Sequence, residues 1–153
     1  MLPAKSVSAF VFDQTGQRVL MHLRGDVSRW SLPGSGVEDG ESWETAAARE
    51  VREETGYEVV IDKLVGEYSR PDLGDAKRVY SARVVGGVPG GRPPETVRVG
   101  WLPIRRLPLN RVPGNRTYVG LAAIRQVSGT FGAHPVAASA HGDAHRVFVG
   151  GTR

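Results

Sequence analysis

The sequence predicts an α+β fold, an α/β/α sandwich built on a mixed β-sheet. Three observations point there. Short β-rich runs open the chain, one strongly helical stretch follows, and strand-like runs then return ahead of a second helical stretch. A length of 153 residues suits a single compact domain. With 40% hydrophobic and 24% charged residues, the composition is that of a globular protein and excludes whole-chain disorder.

The elements follow in order. Ser6 to Phe12 (SVSAFVF) and Arg18 to Leu23 (RVLMHL) read as strands, and the turn signal DQTGQ between them makes the pair a hairpin. RGDVSRWSLPGSG then breaks regular structure. From Ser42 to Thr55 the pattern becomes helical. Ser42 suits the N-cap, Ala46, Ala47 and Ala48 are strong helix formers, and Gly56 stands where a helix stops. Trp43, Ala47 and Val51 are spaced to form one buried stripe. Tyr57 to Tyr68 and Lys77 to Val85 are strand-like. GGVPGGRPP is a loop, and Thr96 to Leu102 is a further strand with Trp101 inward. Asn115 to Val127 has helical spacing. We expect one domain over residues 1–153, with 128–153 an irregular C-terminal tail holding at most one strand.

Several function classes are excluded. With no cysteine there is no disulfide framework, thiolate metal site or cysteine nucleophile. No run approaches the roughly 20 apolar residues of a membrane span. The first residues read as a strand rather than a signal peptide, so a cytoplasmic protein without a membrane partner is the expectation. There is no long repeat and no heptad series. The net charge of +4 is unevenly spread: residues 1–75 hold 8 basic and 14 acidic side chains, residues 76–153 hold 12 basic and 2 acidic. Such an asymmetry calls for an explanation in ligands or partners.

The acidic excess is concentrated between Glu38 and Glu58, with 8 acidic and 2 basic residues. Glu50, Glu53 and Glu54 stand at i, i+3 and i+4, so a helix projects all three carboxylates from one face. Like charges at that spacing repel by a few tenths of a kcal/mol per pair. A solvated acidic face is the plain account of such a cluster. Clustered carboxylates with room for water also suit Mg²⁺ or Mn²⁺. Two features favour the second account. A loop with Gly34, Gly36 and Gly40 precedes the helix and lets backbone approach a ligand closely. Glu41 and Arg49, eight residues apart, are placed to lock that loop onto the helix.

The stretch Ser35 to Tyr57 resembles the signature of the Nudix hydrolases, G-x5-E-x7-R-E-U-x-E-E-x-G-U with U a bulky apolar residue. Glu41 takes the first Glu, Arg49 and Glu50 the R-E pair, and Val51 the apolar slot. Glu53 and Glu54 take the E-E pair and Gly56 the last glycine, with no insertion or deletion. Six charged or glycine positions at fixed offsets make the match specific. Trp30-Ser-Leu-Pro-Gly ahead of it looks like the usual approach to this box. Two positions depart. Ser35 replaces the first glycine, which keeps the turn if φ is negative but strains it if φ must be positive. Tyr57 fills the last apolar slot.

The resemblance covers the box and, more weakly, the strand order over residues 4–127. It implies a Nudix-type α/β/α sandwich and hydrolysis of a nucleoside diphosphate linked to another moiety. It makes Glu50, Glu53 and Glu54 the Mg²⁺ ligands, with the Gly34 carbonyl an addition, and gives Arg49 and Glu41 the task of holding loop and helix. Metal-assisted attack of water on phosphorus is the implied chemistry. Some members of the family use a further acidic residue ahead of the late Trp. Glu95 is the candidate here, and an exposed loop glutamate is the plainer account of it. Many relatives are dimers, so a homodimer is an expectation.

Other residues are weighed singly. Arg24 offers a guanidinium fork for a phosphate, or is simply a surface arginine. Trp30 is a base-stacking candidate or a packed loop anchor. Tyr68, Arg70 and Pro71 follow the box where family members differ by substrate, and the proline resembles that of ADP-ribose-type members. His134, His141 and His145 lie in the tail. The His141–His145 spacing would suit zinc on a helix, but the surrounding Gly and Ala argue for a solvated tail. Arg105, Arg106 and Arg111 form a basic stretch without aromatic interleaving, which fits a rim for an anionic substrate better than a nucleic-acid site. The leading expectation is therefore a Mg²⁺-dependent pyrophosphohydrolase of a small nucleotide or nucleotide sugar such as ADP-ribose. A non-catalytic nucleotide sensor and an RNA 5′-end pyrophosphohydrolase are the alternatives.

Overall fold

A computed structural model describes residues 4–70, 72, 74–107 and 146–148. Seven strands and one α-helix are described: β1 (Ala4–Val11), β2 (Arg18–Arg24), β3 (Arg29–Ser31), α1 (Trp43–Thr55), β4 (Tyr57–Arg70), β5 (Asp75–Gly87), β6 (Thr96–Pro103) and β7 (Arg146–Phe148). A 3₁₀ turn over Ile104–Arg106 follows β6. The helix expected over 115–127 lies outside the described residues. So do His134, His141, His145 and Arg111.

The strands form two sheets, ordered β1-β5-β4-β7 and β3-β2-β6. β1 runs parallel to β5, while β4 is antiparallel to both β5 and β7, so the larger sheet is mixed as expected. The smaller sheet is antiparallel. The hairpin expected from β1 and β2 does not form: one isolated bridge, Phe12 to Val19, joins them at the turn, and β1 then pairs with β5 while β2 pairs with β3 and β6 in the other sheet.

β1 reads as a nearly continuous apolar run because both of its faces are covered. Val7, Ala9 and Val11 meet α1 on one side, in clusters that include Ala46, Ala47, Val51, Leu20, Tyr80 and Ala82. Phe10 points the other way, into a cluster with Val19, Met21, Leu32, Val65, Tyr68 and Val79. Val7, Phe10, Val11, Val19, Leu20, Met21, Val51 and Val79 are all fully buried, each contributing about 1.5–3 kcal/mol of hydrophobic stabilisation.

One further detail differs from the sequence reading. The stretch after β2 was expected to be irregular, yet Arg29–Ser31 forms β3 by turning back on β2, with Ser28 at φ 50° in the connection. A three-residue strand is too short to show a hydrophobic period. The one strand allowed for the tail is Arg146–Phe148, which pairs with Glu67–Ser69 of β4.

Candidate active site

The site is built at both ends of α1 and along the loop ahead of it. Ser42 caps the N-terminus, accepting from the Thr45 amide at 3.1 Å. The preceding loop is stitched to the free edge of β1. The Val7 amide donates to the Ser35 carbonyl (2.8 Å), Ala9 to Pro33 (2.9 Å), and Val37 to Lys5 (2.9 Å). Gly34 sits between two of these bonds, and a Cβ there would collide with the Val7 carbonyl oxygen. Gly34 is thus the residue that lets the loop lie against β1.

At its other end α1 leaves four carbonyls without helical partners, and all four are satisfied. The Arg52 carbonyl accepts from Gly56 (2.9 Å), Glu53 from Arg92 (3.1 Å), Thr55 from Gly90 (2.9 Å), and Glu54 from the Thr96 hydroxyl (2.9 Å). Gly56 ends the helix in the left-handed region, at φ 81°. The loop GGVPGGRPP is therefore the C-terminal cap of α1, and it delivers Pro94, Glu95 and Thr96 to the same place.

Arg49 is the hub of the helix side. Its Nε and Nη2 clasp the Glu41 carboxylate at 2.8 and 3.0 Å, and Nη2 also reaches the Gly36 carbonyl (3.1 Å). Its Nη1 donates to Glu50 (2.8 Å) and Glu53 (3.2 Å). The Glu41 contact holds the Arg49 guanidinium above its ordinary pKa, and Arg49 in turn holds the Glu41 carboxyl below its own. Glu50 behaves oppositely. Burial pushes it up to about 7, and the adjacent Glu54 carboxyl adds to the rise, which Arg49 only partly offsets.

The facing wall comes from β2 and from the loop ahead of β6, with Thr96 at the start of β6 behind it. His22 and Thr96 are buried, at 4% and 5% exposure. His22 Nε2 lies 2.5 Å from Glu54 Oε2, and Nδ1 lies 2.9 Å from the Thr96 hydroxyl. The single Thr96 hydroxyl hydrogen is directed at the Glu54 carbonyl, so Nδ1 must be the donor to Thr96. One proton then lies in the Nε2–Oε2 contact. The Gly34 amide reaches the same Oε2 at 3.3 Å. Two residues beyond His22, Arg24 is held in a fork by Asp26, at 3.0 and 2.6 Å. That contact raises the Arg24 pKa and lowers that of Asp26.

These groups line one cavity of about 650 Å³, within the usual range of ligand pockets. Glu50, Glu53, Glu54, Arg49, Gly34 and Arg24 all open onto it, as do Glu38, Glu95 and His22. Trp30 does not. It lies on β3, half-buried against the Phe10 cluster, and serves as a packing anchor. Glu41 stands behind the cavity, on Arg49. Arg70 ends β4, in register with Asp75 of β5, and its side chain lies outside the described ones.

His22 and Thr96 were not singled out from the sequence. The available signal was one imidazole inside an otherwise apolar strand, in phase with Arg24.

A family model described as the NUDIX domain matches residues 2–120. The chain belongs to the Nudix family. Over 103 residues it is 38% identical to a Bacillus subtilis protein named "Putative 8-oxo-dGTP diphosphatase", covering 67% of this chain and 69% of that one. It is 42% identical over 62 residues to an ADP-ribose pyrophosphatase of Methanocaldococcus jannaschii, covering 40% of this chain and 37% of the relative. A crystal structure of a NUDIX hydrolase from Nitrosomonas europaea shares the fold, with a TM-score of 0.73 and 21% identity over 85% of this chain and 75% of that one. Membership in this family of diphosphatases and pyrophosphatases makes the protein a hydrolase of phosphoanhydride bonds.

As a Nudix protein it carries its two box departures without distortion. Ser35 is not at positive φ: among the described residues Ser28 is the one non-glycine residue there. Tyr57 fills the apolar slot by packing edge-on against Trp101, with ring centroids 5.7 Å apart, and its hydroxyl accepts from Trp101 Nε1 at 3.3 Å.

Nudix hydrolases generally use divalent metal ions. Among the described residues no three His, Asp or Glu side chains converge closely enough to hold one ion as they stand. Glu53 is turned to Arg49 and Glu54 to His22. The chemistry of the set nevertheless fits a hard cation. The donors are carboxylate oxygens, they open onto one cavity, and the raised pKa of Glu50 marks a place short of positive charge. Among the described residues no helix is long and apolar enough to cross a membrane.

Proposed function

We propose that the protein is a Mg²⁺-dependent pyrophosphohydrolase of a small nucleotide, a nucleoside diphosphate linked to a further phosphate or to a sugar. The observation that carries this reading is the single cavity in which Glu50, Glu53 and Glu54 face Arg24 and Glu95. Glu50, Glu53 and Glu54 would hold the cation, Mn²⁺ serving in place of Mg²⁺, with the Gly34 carbonyl as a further oxygen. When bound, such an ion neutralises diphosphate oxygens and lowers the pKa of a coordinated water.

The chain's own groups supply the rest. Arg49 and Glu41 keep the loop and helix in register, so the glutamates share one wall. Arg24, steadied by Asp26, presents its remaining N–H groups to a phosphate oxygen. Glu95, from outside the box, lines the cavity and would take the proton of the attacking water. Water oxygen would bond to one phosphorus as its bond to the bridging oxygen breaks, giving a nucleoside monophosphate and, as the second product, pyrophosphate or the sugar phosphate. A cavity of this size fits a mononucleotide better than a polymer, which sets the RNA alternative second. The intact carboxylate set and the unstrained Ser35 weigh against a silent sensor.

The test is a hydrolysis screen over nucleoside triphosphates, oxidised guanine nucleotides, ADP-ribose and 5′-triphosphorylated RNA, each with Mg²⁺ and with Mn²⁺. Monophosphate release from a free nucleotide supports the reading. Turnover of RNA alone would replace it, and binding without turnover would favour the sensor.

A further inference from the structure

The structure joins Glu54 to the rest of the molecule at two points. Its backbone carbonyl accepts from Thr96 Oγ1 at 2.9 Å, and its side-chain Oε2 meets His22 Nε2 at 2.5 Å. His22 Nδ1 closes the ring on the same Thr96 hydroxyl at 2.9 Å. Glu54, His22 and Thr96 thus form a closed circuit in which main chain and side chain of one residue are fixed through two others. The three come from α1, β2 and β6, and all are buried.

We propose that His22 and Thr96 are positioning residues for Glu54, holding Oε2 so that the other carboxylate oxygen is the one offered to a cation in the cavity. This rests on the metal reading of the preceding section. Three features support the assignment. The contacts from His22 and from the Gly34 amide fall on Oε2, while the carboxylate also meets the neighbouring Glu50 carboxyl, which lines the same cavity. The imidazole has no freedom to choose a partner, because the Thr96 hydroxyl hydrogen is committed to the Glu54 carbonyl and Nδ1 must donate. The circuit also lies at the C-terminal end of α1, where the Thr96 bond is one of the four that fix the helix end. Rotation of His22 about its own axis would break two bonds at once. Hydrogen-bonding partners behind a ligating carboxylate commonly change metal affinity 10–100-fold when removed.

The closing experiment uses the full chain. Mn²⁺ binding is followed by electron paramagnetic resonance and by calorimetry, without substrate. The variants are Thr96→Val, which keeps shape and loses the hydroxyl, Thr96→Ser, which restores it, and His22→Gln. Thr96→Val and His22→Gln should weaken Mn²⁺ binding by about tenfold or more, while Thr96→Ser stays within about twofold of the parent. In turnover, the metal concentration for half-maximal rate should rise in step, with the substrate KM at saturating metal little changed. A folded Thr96→Val protein with parental Mn²⁺ affinity overturns the proposal. If His22→Gln fails to fold, the Val/Ser pair at position 96 decides alone. An unmodified protein that binds no Mn²⁺ overturns the metal reading as well, which separates the two failures.

Discussion

The two walls of the cavity are made in different ways. The helix-side wall is one continuous stretch, from Gly34 to Glu54, in which Arg49 gathers Glu41, Glu50 and Glu53 from within eight residues of itself. The sheet-side wall is a meeting of distant segments: His22 and Thr96 touch across 74 residues of sequence. The first wall is dense in charge and held by ion pairs. The second is sparse, and its key bonds are buried and neutral at one end. Local spacing suffices to assemble the first. The second exists only after β2 and β6 have paired and the loop ahead of Thr96 has closed over the end of α1.

This contrast can be broken most sharply on the helix side. Glu53→Gln keeps an oxygen for Arg49 but removes a charge from the proposed cation site. Hydrolysis should fall by at least about 10³-fold, read as monophosphate release under saturating Mg²⁺. Activity unchanged by that substitution would sink the metal assignment.

Next in size is Arg49→Ala. It strands Glu41, Glu50 and Glu53 together, three carboxylates that now share one partly buried guanidinium. The expected loss is about 3 kcal/mol in urea unfolding, as for breaking a buried pair from one side. A loss within about 0.5 kcal/mol would show that the hub is a surface network of the weaker kind.

Gly34→Ala and Ser35→Gly form a matched pair on neighbouring residues. The first puts a Cβ into the Val7 carbonyl and should cost about 1–3 kcal/mol. The second restores the family glycine where none is needed and should change stability by no more than about 1 kcal/mol, in the destabilising direction. Equal effects, measured by thermal unfolding, would mean that the loop's register on β1 is not what makes glycine necessary.

The smallest expected effect is a pH dependence. In the folded protein the Glu50 carboxyl is raised from 4.5 to about 7, so the fold favours its neutral form. That contribution is fully present below about pH 4.5 and is lost as pH rises through about 7. Chelated, metal-free protein should therefore lose part of its Tm across that window. Added Mg²⁺ should recover more at pH 8 than at pH 5, because the cation takes over the place of the proton. A Tm that rises with pH across the window in chelator would reverse the assignment.

Much of the fold was legible because its signals are short-range. The Ser42 cap, the alanine run and Gly56 define α1 to within a residue, and β1, β2, β4, β5 and β6 follow from apolar runs and turn residues. β3 was not legible, since three residues cannot show a period and the strand exists only by pairing with β2. Trp30 illustrates the same limit. As a sequence symbol it suits a stacking ring equally well, and only its place on β3 against the Phe10 cluster makes it a packing residue.

The charge asymmetry follows the same division. By itself, the sequence determined the identity and spacing of Glu41, Arg49, Glu50, Glu53 and Glu54, because a helix converts offsets of three, four and eight into shared faces without help from the rest of the chain. What tertiary structure decided is where those carboxylates point and what faces them. Glu54 turns to His22, Glu53 turns to Arg49, and Thr96 closes the circuit behind. Such contacts depend on the register between β2 and β6 and on a loop docked against a helix end. No local spacing encodes them, since their energy is realised only when segments far apart in the chain are brought together and sealed from water.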